Sequence, residues 1–418
     1  MVATHPPIAL VEYQTRRLPP ASLPLEAGNR LWRIYDRDGG VLDVAFPSPK
    51  TDGEWEITPQ GWVGTIPLTP EITFSLHPRV PLNNLFRVLA YAYRLASFRF
   101  LDGLSGCESL SEFYDLLAVE LAQRVLARAR HGLHEQYRAR QERLPYTRGR
   151  IDFAKSRPWH VHLPCRYEAR TADIADNQIL LWTLATIIRR SPCGERARTL
   201  ARRAASALLQ RSVTLLPFDA ADCIGRTYSR LNEDYRALHA LCRFFLASTG
   251  PTHSTGQELM LPFLVNMPRL YELFVAEWLR HHLPDGWQLS AQELVRLPAE
   301  SGSDGDSAGD LRFNVDLVLN DPAGTPRMVL DTKYKRPLRV APGDLYQAVT
   351  YATLLGCREA LLVYPTPLVL PLDSAVGEVR IRTVCFGLEG DLDRQGAAFL
   401  EALRIEDPFI IANPEVPR

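Results

Sequence analysis

One short pattern most constrains what this chain can fold into: an aspartate in an apolar run is followed, in the next such run, by an Asp-x-Lys sequence. Asp316 lies in the run 315–319, and Asp331 and Lys333 lie fifteen and seventeen residues further on, in the run 330–335. Side chains along a β-strand alternate between its two faces, so Asp331 and Lys333 project from the same face. Antiparallel pairing across the turn between the runs would bring Asp316 beside Asp331. This pattern predicts the site of a metal-dependent phosphodiesterase.

Lysine is scarce in this chain, which makes the lysine of this pattern a candidate for chemistry. Only four of the 48 basic residues are lysines, at positions 50, 155, 333 and 335. A lysine ammonium is a compact donor whose pKa responds to its surroundings, whereas an arginine guanidinium stays charged. We predict that Lys333 orients or deprotonates a water molecule and offsets phosphate charge. Lys335 is expected to contact a phosphate or to end the strand in solvent.

Two converging carboxylates repel each other unless a cation neutralises them. Mg²⁺ takes oxygen ligands, keeps several waters and can activate one of them against a phosphodiester. We therefore predict that Asp316 and Asp331 bind Mg²⁺, with Mn²⁺ as a substitute. Glu272 is the candidate third carboxylate, because it lies on a helix whose neighbouring side chains are mostly apolar.

A helix downstream of the lysines carries two further candidates. Gln347 and Tyr351 are four residues apart, which places them on one helix face. From that face an amide and a phenol can contact the DNA backbone or hold the lysine. The alternative interpretation of the whole pattern is a hairpin whose charged outer face carries the Asp-x-Lys sequence as a surface ion pair.

The remaining composition excludes several classes of protein. Seven cysteines are scattered over 418 residues, which fits neither a disulfide framework nor a zinc or iron–sulfur site and favours a reducing cytoplasm. No apolar run approaches the roughly 18 residues that a membrane span needs. None of the lysines lies in a Gly-Lys-Ser/Thr loop, so the chain is not itself a P-loop nucleoside triphosphatase.

We predict an α/β protein, α+β overall, in three parts. Residues 1–105 form a β-rich amino-terminal domain, 106–255 a mainly helical middle region, and 256–418 an α/β domain. In the first part, strands are predicted at 31–35, 61–66 and 71–76, and a helix at 83–96. In the second, helices are predicted at 109–130, 173–190, 195–211 and 230–248, with an extended segment at 149–167.

The third part carries the candidate site. Its predicted helices are 266–282 and 344–355, and its predicted strands are 311–320, 327–335, 360–364 and 379–386. A polar loop is expected at 299–310 and a turn at 321–326. Strands that alternate with helices in this way indicate an α/β unit.

The candidate residues resemble the motif of the PD-(D/E)xK nuclease superfamily, and Gln347 with Tyr351 resembles the helix motif of its RecB-like branch. Over about residues 60–418 the chain is similar to the McrC family, the nuclease subunits of modified-cytosine restriction systems. The segments that carry this similarity are 148–152, 164–180, 231–235, 267–274, and 331–335 together with 344–347. Asn266 and Arg79 depart from the family, which often has an acidic residue and a lysine there.

This resemblance implies a restriction-endonuclease-like core in 256–418, with Asp316, Asp331 and Lys333 at the metal and catalytic positions and Glu272 in the helix ahead of them. It also implies an Mg²⁺-dependent DNA endonuclease of a 5-methylcytosine-type restriction system. The implied partners are methylated DNA and a hexameric McrB-like AAA+ GTPase. The amino-terminal region, the expected contact to that partner, would stimulate its GTP hydrolysis, and cleavage would follow translocation on DNA.

Two alternatives remain beside this function. In the first, the chain is a non-catalytic activator or scaffold of an AAA+ NTPase. In the second, it is a free-standing PD-(D/E)xK nuclease of repair or defence. The formal net charge is zero, whereas a nuclease that held DNA alone would show a basic balance, because phosphate contacts dominate affinity. A neutral chain favours a motor partner that delivers the DNA, and predicts weak, salt-sensitive DNA binding by the isolated protein.

Overall fold

The chain folds into two compact units. The structure, a computed structural model, describes residues 6–69, 71–93, 109–153, 161–189, 193–248, 253–255, 258–260, 262–297 and 311–405. One unit contains the described residues of Met1–Gly64, Glu71–Glu108 and Leu264–Arg418, and the other those of Thr65–Pro70 and Ser109–Phe263. The mixture of helices and sheets confirms the predicted α+β class. The polar loop predicted at 299–310 lies outside the described residues.

The amino-terminal segment builds small sheets and short helices. Its elements are β1 (Ile8–Val11), β2 (Arg16–Leu18), α1 (Leu25–Leu31), β3 (Leu42–Ala45), β4 (Trp55–Pro59), β5 (Trp62–Pro67), β6 (Thr73–His77) and α2 (Leu82–Ala92). β1 pairs in parallel with β6, and β4 pairs in antiparallel fashion with β2 and β3. The strands predicted at 61–66 and 71–76 are confirmed as β5 and β6. The helix predicted at 83–96 is confirmed as α2 as far as the described residues reach.

The strand predicted at 31–35 is wrong, because this segment is helical. α1 ends at Leu31, and Trp32–Arg37 continue it as π-helix. In a strand, Arg33 would share the face of Leu31 and Tyr35, which are both fully buried. In a helix the four-residue spacing keeps Leu31 and Tyr35 together and turns Arg33 away from them. Arg33 is exposed, as the helical arrangement requires.

The four helices predicted in the middle segment are confirmed. Its elements are α3 (Leu110–His131), β7 (Gln136–Leu144), β8 (Arg150–Ile151), β9 (Leu163–Thr171), α4 (Ala175–Arg189), α5 (Glu195–Leu209), α6 (Tyr235–Ala247), β10 (His253–Thr255) and β11 (Glu258–Met260). Ser109 caps α3 by accepting a hydrogen bond from the Glu112 N–H at 3.2 Å. β9 pairs with both β7 and β8. β7 was not predicted, because almost all its side chains are exposed and no apolar alternation marks it.

The carboxy-terminal segment contains the largest sheet of the described residues. The elements of this segment are β12 (Phe263–Asn266), α7 (Met267–His282), β13 (Gln288–Leu297), β14 (Leu311–Asn320), β15 (Pro326–Thr332), α8 (Pro342–Leu354), β16 (Glu359–Tyr364), β17 (Asp373–Val376), β18 (Val379–Cys385) and α9 (Leu392–Leu403). The strand order in the sheet is β13-β14-β15-β16-β18-β17. β15, β16 and β18 run parallel, while β13, β14 and β17 each pair in antiparallel fashion with a neighbour.

The parallel strands form the buried centre of this sheet. Every residue of β16 after the first is buried, as is usual for a parallel strand covered on both faces. α8 packs on this centre through Ala348 and Ala352, which share a core with Val329 and Leu362. The predicted elements of this region are confirmed, although β15 ends three residues earlier than expected. The strands β12, β13 and β17 and the helix α9 were not predicted. No helix among the described residues is both long and apolar enough to cross a bilayer.

Candidate active site

The candidate site lies where β15 ends, beside its parallel neighbour β16. Asp331 is the last residue but one of β15, and Lys333 follows the strand directly. The Lys333 N–H still donates to the Val363 carbonyl at 2.8 Å, which continues the pairing with β16 for one more residue. In α/β sheets, ligands bind outside the carboxyl ends of parallel strands. The fold thus places the Asp-x-Lys sequence at the carboxyl end of two central parallel strands, the position at which α/β sheets bind ligands.

Asp331 and Lys333 form an ion pair on one side of the chain, as the alternation of side chains predicts. Lys333 Nζ lies 2.7 Å from Asp331 Oδ2, and the two side chains are 16% and 1% exposed. Surface ion pairs are solvated at both partners, so this burial contradicts the interpretation as a surface hairpin. A buried ion pair of this kind is an expensive arrangement, which points to a use beyond stability.

Two side chains of α8 hold the lysine. Lys333 Nζ donates a hydrogen bond to Gln347 Oε1 at 3.0 Å, and Gln347 Nε2 donates to the Tyr351 hydroxyl at 2.9 Å. The four-residue spacing of Gln347 and Tyr351 therefore serves to fix the amide, and the amide fixes the ammonium. Of the two roles expected for this pair, holding the lysine is the one visible in the contacts.

Asp316 reaches the same strand end from β14. Leu317 pairs with Leu330, so Asp316 is aligned with the end of β15. Its Oδ2 accepts hydrogen bonds from the Thr332 N–H at 3.2 Å and from the Thr332 hydroxyl at 3.4 Å. The two aspartates therefore flank one strand end, as the predicted antiparallel pairing requires.

The pKa of Asp331 shows that burying this carboxyl close to a second carboxylate is electrostatically unfavourable. Burial raises the pKa of the Asp331 carboxyl to about 7, the Lys333 ammonium opposes that rise, and the nearby Asp316 carboxylate adds to it. Asp331 Oδ1 has no hydrogen-bond partner among the residues that the structure describes. A buried carboxylate oxygen without a donor is unfavourable, and a cation in contact with it would remove that cost.

Asp344 also lies in the site, although no role was predicted for it from the sequence. Its Oδ1 lies 3.8 Å from Lys333 Nζ, and its Oδ2 lies 2.5 Å from Lys335 Nζ. Lys335 was expected to contact a phosphate or to end the strand in solvent, whereas it pairs with Asp344. The available signal was the position of Asp344 three residues before Gln347, on the same helix face, in the first turn where acidic residues are favoured.

Glu272, the candidate third carboxylate, lies on α7. Its Oε1 is 2.5 Å from Arg269 Nη1, and its side chain is 15% exposed. In the part of the chain that the structure describes, no three His, Cys, Asp or Glu side chains are grouped closely enough to hold one ion. The structure therefore brings together Asp316, Asp331 and Lys333 and gives Glu272 a different partner.

The residues at the strand end nevertheless fit Mg²⁺. This ion is usually bound by one or two carboxylates together with waters and the phosphate of a substrate, rather than by a complete protein cage. Asp316 and Asp331 supply two carboxylates, and one oxygen of Asp331 lacks a donor. All these candidate ligand atoms are oxygens, the donor type that Mg²⁺ and Mn²⁺ prefer.

Comparison with known proteins gives one consistent family. A sequence model of the family described as McrBC 5-methylcytosine restriction system component matches residues 57–365. The chain is 24% identical over 318 residues to the type IV methyl-directed restriction enzyme EcoKMcrBC of Escherichia coli, covering 69% of this chain and 86% of the relative. Its fold is similar to a chain in the assembly of Thermococcus gammatolerans McrB AAA+ hexamers with bound McrC, with a TM-score of 0.55 and 16% identity over 95% of this chain and 99% of that one.

Proposed function

Since the chain belongs to the McrBC family of 5-methylcytosine restriction system components, we propose that it is the Mg²⁺-dependent DNA endonuclease subunit of such a system. The observation that carries this proposal is the buried ion pair of Asp331 and Lys333 beside Asp316. A scaffold needs none of these three residues, and a buried carboxylate with a raised pKa is characteristic of functional sites.

The proposed metal ligands are Asp316 and Asp331; Glu272, the predicted third carboxylate, would have to exchange Arg269 for the ion in order to join them. When bound, Mg²⁺ would lower the pKa of a water ligand and polarise the scissile phosphate. Asp316 is already oriented by the Thr332 N–H, and Asp331 by Lys333. The chain thus presents both carboxylates in fixed positions, which spares the entropy of ordering them when the ion arrives.

Lys333 is the proposed catalytic base or water-orienting residue. One N–H of its ammonium donates a hydrogen bond to Gln347 Oε1, and Asp331 attracts the same group. The remaining donor capacity is available to a water or a phosphate oxygen. A lysine in this position stabilises negative charge that develops on the phosphate in the transition state. For Lys335, 40% exposed and paired with Asp344, we propose a contact to a neighbouring phosphate of the DNA.

The proposed partner is a McrB-like AAA+ GTPase hexamer whose hydrolysis this chain stimulates, and the proposed substrate is methylated DNA. The relative is a methyl-directed restriction enzyme, and the similar structure is McrC bound to McrB AAA+ hexamers. The chain has no P-loop lysine and a net charge of zero. A partner that hydrolyses nucleotide and delivers DNA accounts for both.

Cleavage of plasmid DNA tests this function. Wild type and Asp331→Ala would each be incubated with Mg²⁺ and methylated or unmethylated plasmid, with and without the AAA+ protein encoded beside it, plus GTP or ATP. We expect cutting of methylated plasmid by wild type, only with the partner and nucleotide. Asp331→Ala should not cut, while it stimulates nucleotide hydrolysis as wild type does.

Failure of both proteins to cut, with faster nucleotide hydrolysis by the partner, would contradict the nuclease and support a non-catalytic activator. Cutting by wild type without any partner would instead support a free-standing nuclease. The hydrolysis measurement in the same tubes shows that each variant is folded and engages its partner, so a loss of cutting cannot be attributed to loss of the protein.

A further inference from the structure

Tyr334, which separates the two lysines of the site, is anchored by residues from the other end of the chain. Its hydroxyl donates a hydrogen bond to Glu12 Oε2 at 3.1 Å, and its carbonyl accepts one from the Tyr13 hydroxyl at 3.5 Å. Glu12 and Tyr13 directly follow β1 and lie in the same compact unit as the site. Tyr334, just past the end of β15 and between the two lysines, is thus hydrogen-bonded to the residues after β1 through both its side chain and its backbone.

Arg79 fixes the two anchoring residues in turn. Its backbone N–H donates to Glu12 Oε2 at 3.2 Å, its Nε donates to the Glu12 carbonyl at 2.7 Å, and its Nη2 donates to the Tyr13 carbonyl at 2.9 Å. The Arg79 guanidinium also lies 5.2 Å from the centre of the Tyr13 ring. We call Glu12, Tyr13 and Arg79 the amino-terminal clamp.

The amino-terminal clamp is an unfavourable arrangement for stability alone. Glu12 is fully buried, and its Oε1 has no hydrogen-bond partner among the described residues. Burial raises the pKa of Glu12 against the opposing hydrogen bonds from Arg79 and Tyr334. Buried polar groups of this kind are rarely worth more than well-packed apolar side chains.

The backbone of Tyr13 adds to this cost. Tyr13 has a φ of +53°, in the left-handed region that residues other than glycine rarely adopt. Gly61 makes room for it, since a Cβ at Gly61 would lie 2.4 Å from the Tyr13 hydroxyl. Strained backbone that is held in place by its surroundings is concentrated at functional sites, and here the strained residue contacts the chain between two site lysines.

The turn at Tyr334 links this anchor to the chemistry. The Lys335 N–H donates to the Lys333 carbonyl at 2.8 Å, so the chain bends tightly at Tyr334. The directions in which Lys333 and Lys335 leave the backbone therefore depend on the orientation of Tyr334. We propose that Tyr334, held by Glu12, is a positioning residue that sets the two lysines of the nuclease site, so that the amino-terminal sheet is a structural part of that site.

This inference rests on the proposed nuclease function, and its first test measures cleavage in the complete complex. Tyr334→Phe removes one hydroxyl and keeps the ring. We expect single-turnover cleavage to fall by roughly ten- to a hundredfold, the range expected of misplaced catalytic groups, with nucleotide hydrolysis by the partner unchanged. Tyr91→Phe, a hydroxyl deletion on α2 in the same unit, is the matched control and should cleave as wild type does.

Glu12 supplies a rescue that a merely structural role would not show. Glu12→Gln keeps an oxygen that accepts from the Tyr334 hydroxyl, and we expect cleavage within about threefold of wild type. Glu12→Ala should lose as much activity as Tyr334→Phe, and the double variant Glu12→Ala/Tyr334→Phe should be no worse than either single variant, because both remove one interaction. Additive losses, or a parallel fall in thermal stability and partner stimulation, would overturn the inference.

The scarcity of lysine allows a second test that needs neither metal nor activity. Reductive ¹³C-methylation of the metal-free protein labels the amino terminus and only four lysines, and Lys→Arg variants assign their resonances. We expect Tyr334→Phe to move the resonances of Lys333 and Lys335. The resonance of Lys50, which is exposed and distant from Tyr334 in sequence, should not change. Unmoved resonances of Lys333 and Lys335 would refute the positioning role.

Asp331→Ala, included in the cleavage assay, separates failure of this inference from failure of the proposed function. If Asp331→Ala cuts as wild type does, the nuclease site itself is wrong. If Asp331→Ala is inactive while Tyr334→Phe cuts at the wild-type rate, only the positioning role is wrong.

Discussion

Asp331 combines a functional advantage with a cost to stability. It is 1% exposed, its Oδ1 lacks a hydrogen-bond partner within the described residues, and its pKa is raised to about 7. Lys333 alone does not offset the loss of hydration, because a carboxylate in a protein interior needs several donors to replace water. A carboxylate left short of donors in this way is ready to bind a cation. We therefore expect stability and metal binding to be coupled at this residue.

The pH dependence of stability tests this coupling. The folded pKa of Asp331, about 7, lies above its ordinary value of 3.8, so its protonation favours the folded state. That contribution is fully present below the unfolded pKa and is lost as the pH rises through the folded pKa. In EDTA, the melting temperature of Asp331→Asn relative to wild type should therefore rise as the pH increases from 5 to 8.

Adding Mg²⁺ at pH 8 should give wild type a higher melting temperature than Asp331→Asn, because only wild type gains stability from binding the ion. Thermal melts of the two proteins at four pH values, with EDTA or Mg²⁺, make the comparison. A melting-temperature difference that does not change with pH, or equal stabilisation of both proteins by Mg²⁺, would show that Asp331 does not titrate or bind metal in this way.

Exchange of one lysine for arginine tests the role of Lys333. Arginine keeps the positive charge but cannot be deprotonated, and its planar fork does not fit the contacts that the ammonium makes with Asp331 and Gln347. We expect Lys333→Arg to lower single-turnover cleavage by roughly a hundredfold or more, the lower range of general acid–base contributions. Lys50→Arg, at an exposed position, is the matched control. Wild-type activity of Lys333→Arg would show that the site needs only a positive charge at this position.

The positions of side chains on single strands and helices could be predicted from the sequence, because short-range patterns determine them. The alternation along β14 and β15 placed Asp331 and Lys333 on one side, and the spacing on α8 placed Gln347 and Tyr351 together. Local patterns did not show that Asp344 lies between Lys333 and Lys335. That contact depends on how α8 docks against the end of β15, which tertiary packing determines.

The contribution of α8 is tested by removing the amide that holds the lysine. Gln347→Leu replaces the amide by an apolar side chain and so deletes the acceptor for Lys333 and the donor for Tyr351. We expect cleavage to fall about tenfold through misplacement of the ammonium, with little change in melting temperature. Thr353→Ala, at an exposed position on the same helix, should have no effect. Equal activities of these two variants would remove Gln347 from the site.

At the scale of the whole molecule, the structure shows what periodicity alone does not. Asn84, on α2, donates from Nδ2 to the carbonyls of Leu388 and Gly390 at 2.9 and 3.0 Å, and Glu12 bonds to Tyr334. These partners are more than 300 residues apart in sequence. Hydrophobic patterns report local structure, so such contacts, and with them the link between the amino-terminal sheet and the site, are not visible in the sequence.

The neutral charge of the whole chain predicts how it binds DNA. With 48 basic and 48 acidic residues, the chain as a whole does not attract DNA, and affinity should depend on the local contacts that basic side chains make with phosphates. We expect weak binding by the isolated protein that decreases further between 50 and 200 mM salt, measured by fluorescence anisotropy with a labelled duplex. Tight binding at physiological salt would contradict delivery of DNA by a motor partner.

Asp316 and Asp331, beside Lys333, are proposed to form a metal-dependent hydrolytic site. Its most direct test is the rate of single-turnover DNA cleavage by the reconstituted complex as Mg²⁺ is varied, for wild type, Asp316→Asn and Asp331→Asn. We predict saturable, Mg²⁺-dependent cutting by wild type and none by either variant at any Mg²⁺ concentration, with equal nucleotide hydrolysis by the partner in all three. Cutting by Asp331→Asn at the wild-type rate would show that this carboxylate is not a ligand of a catalytic metal.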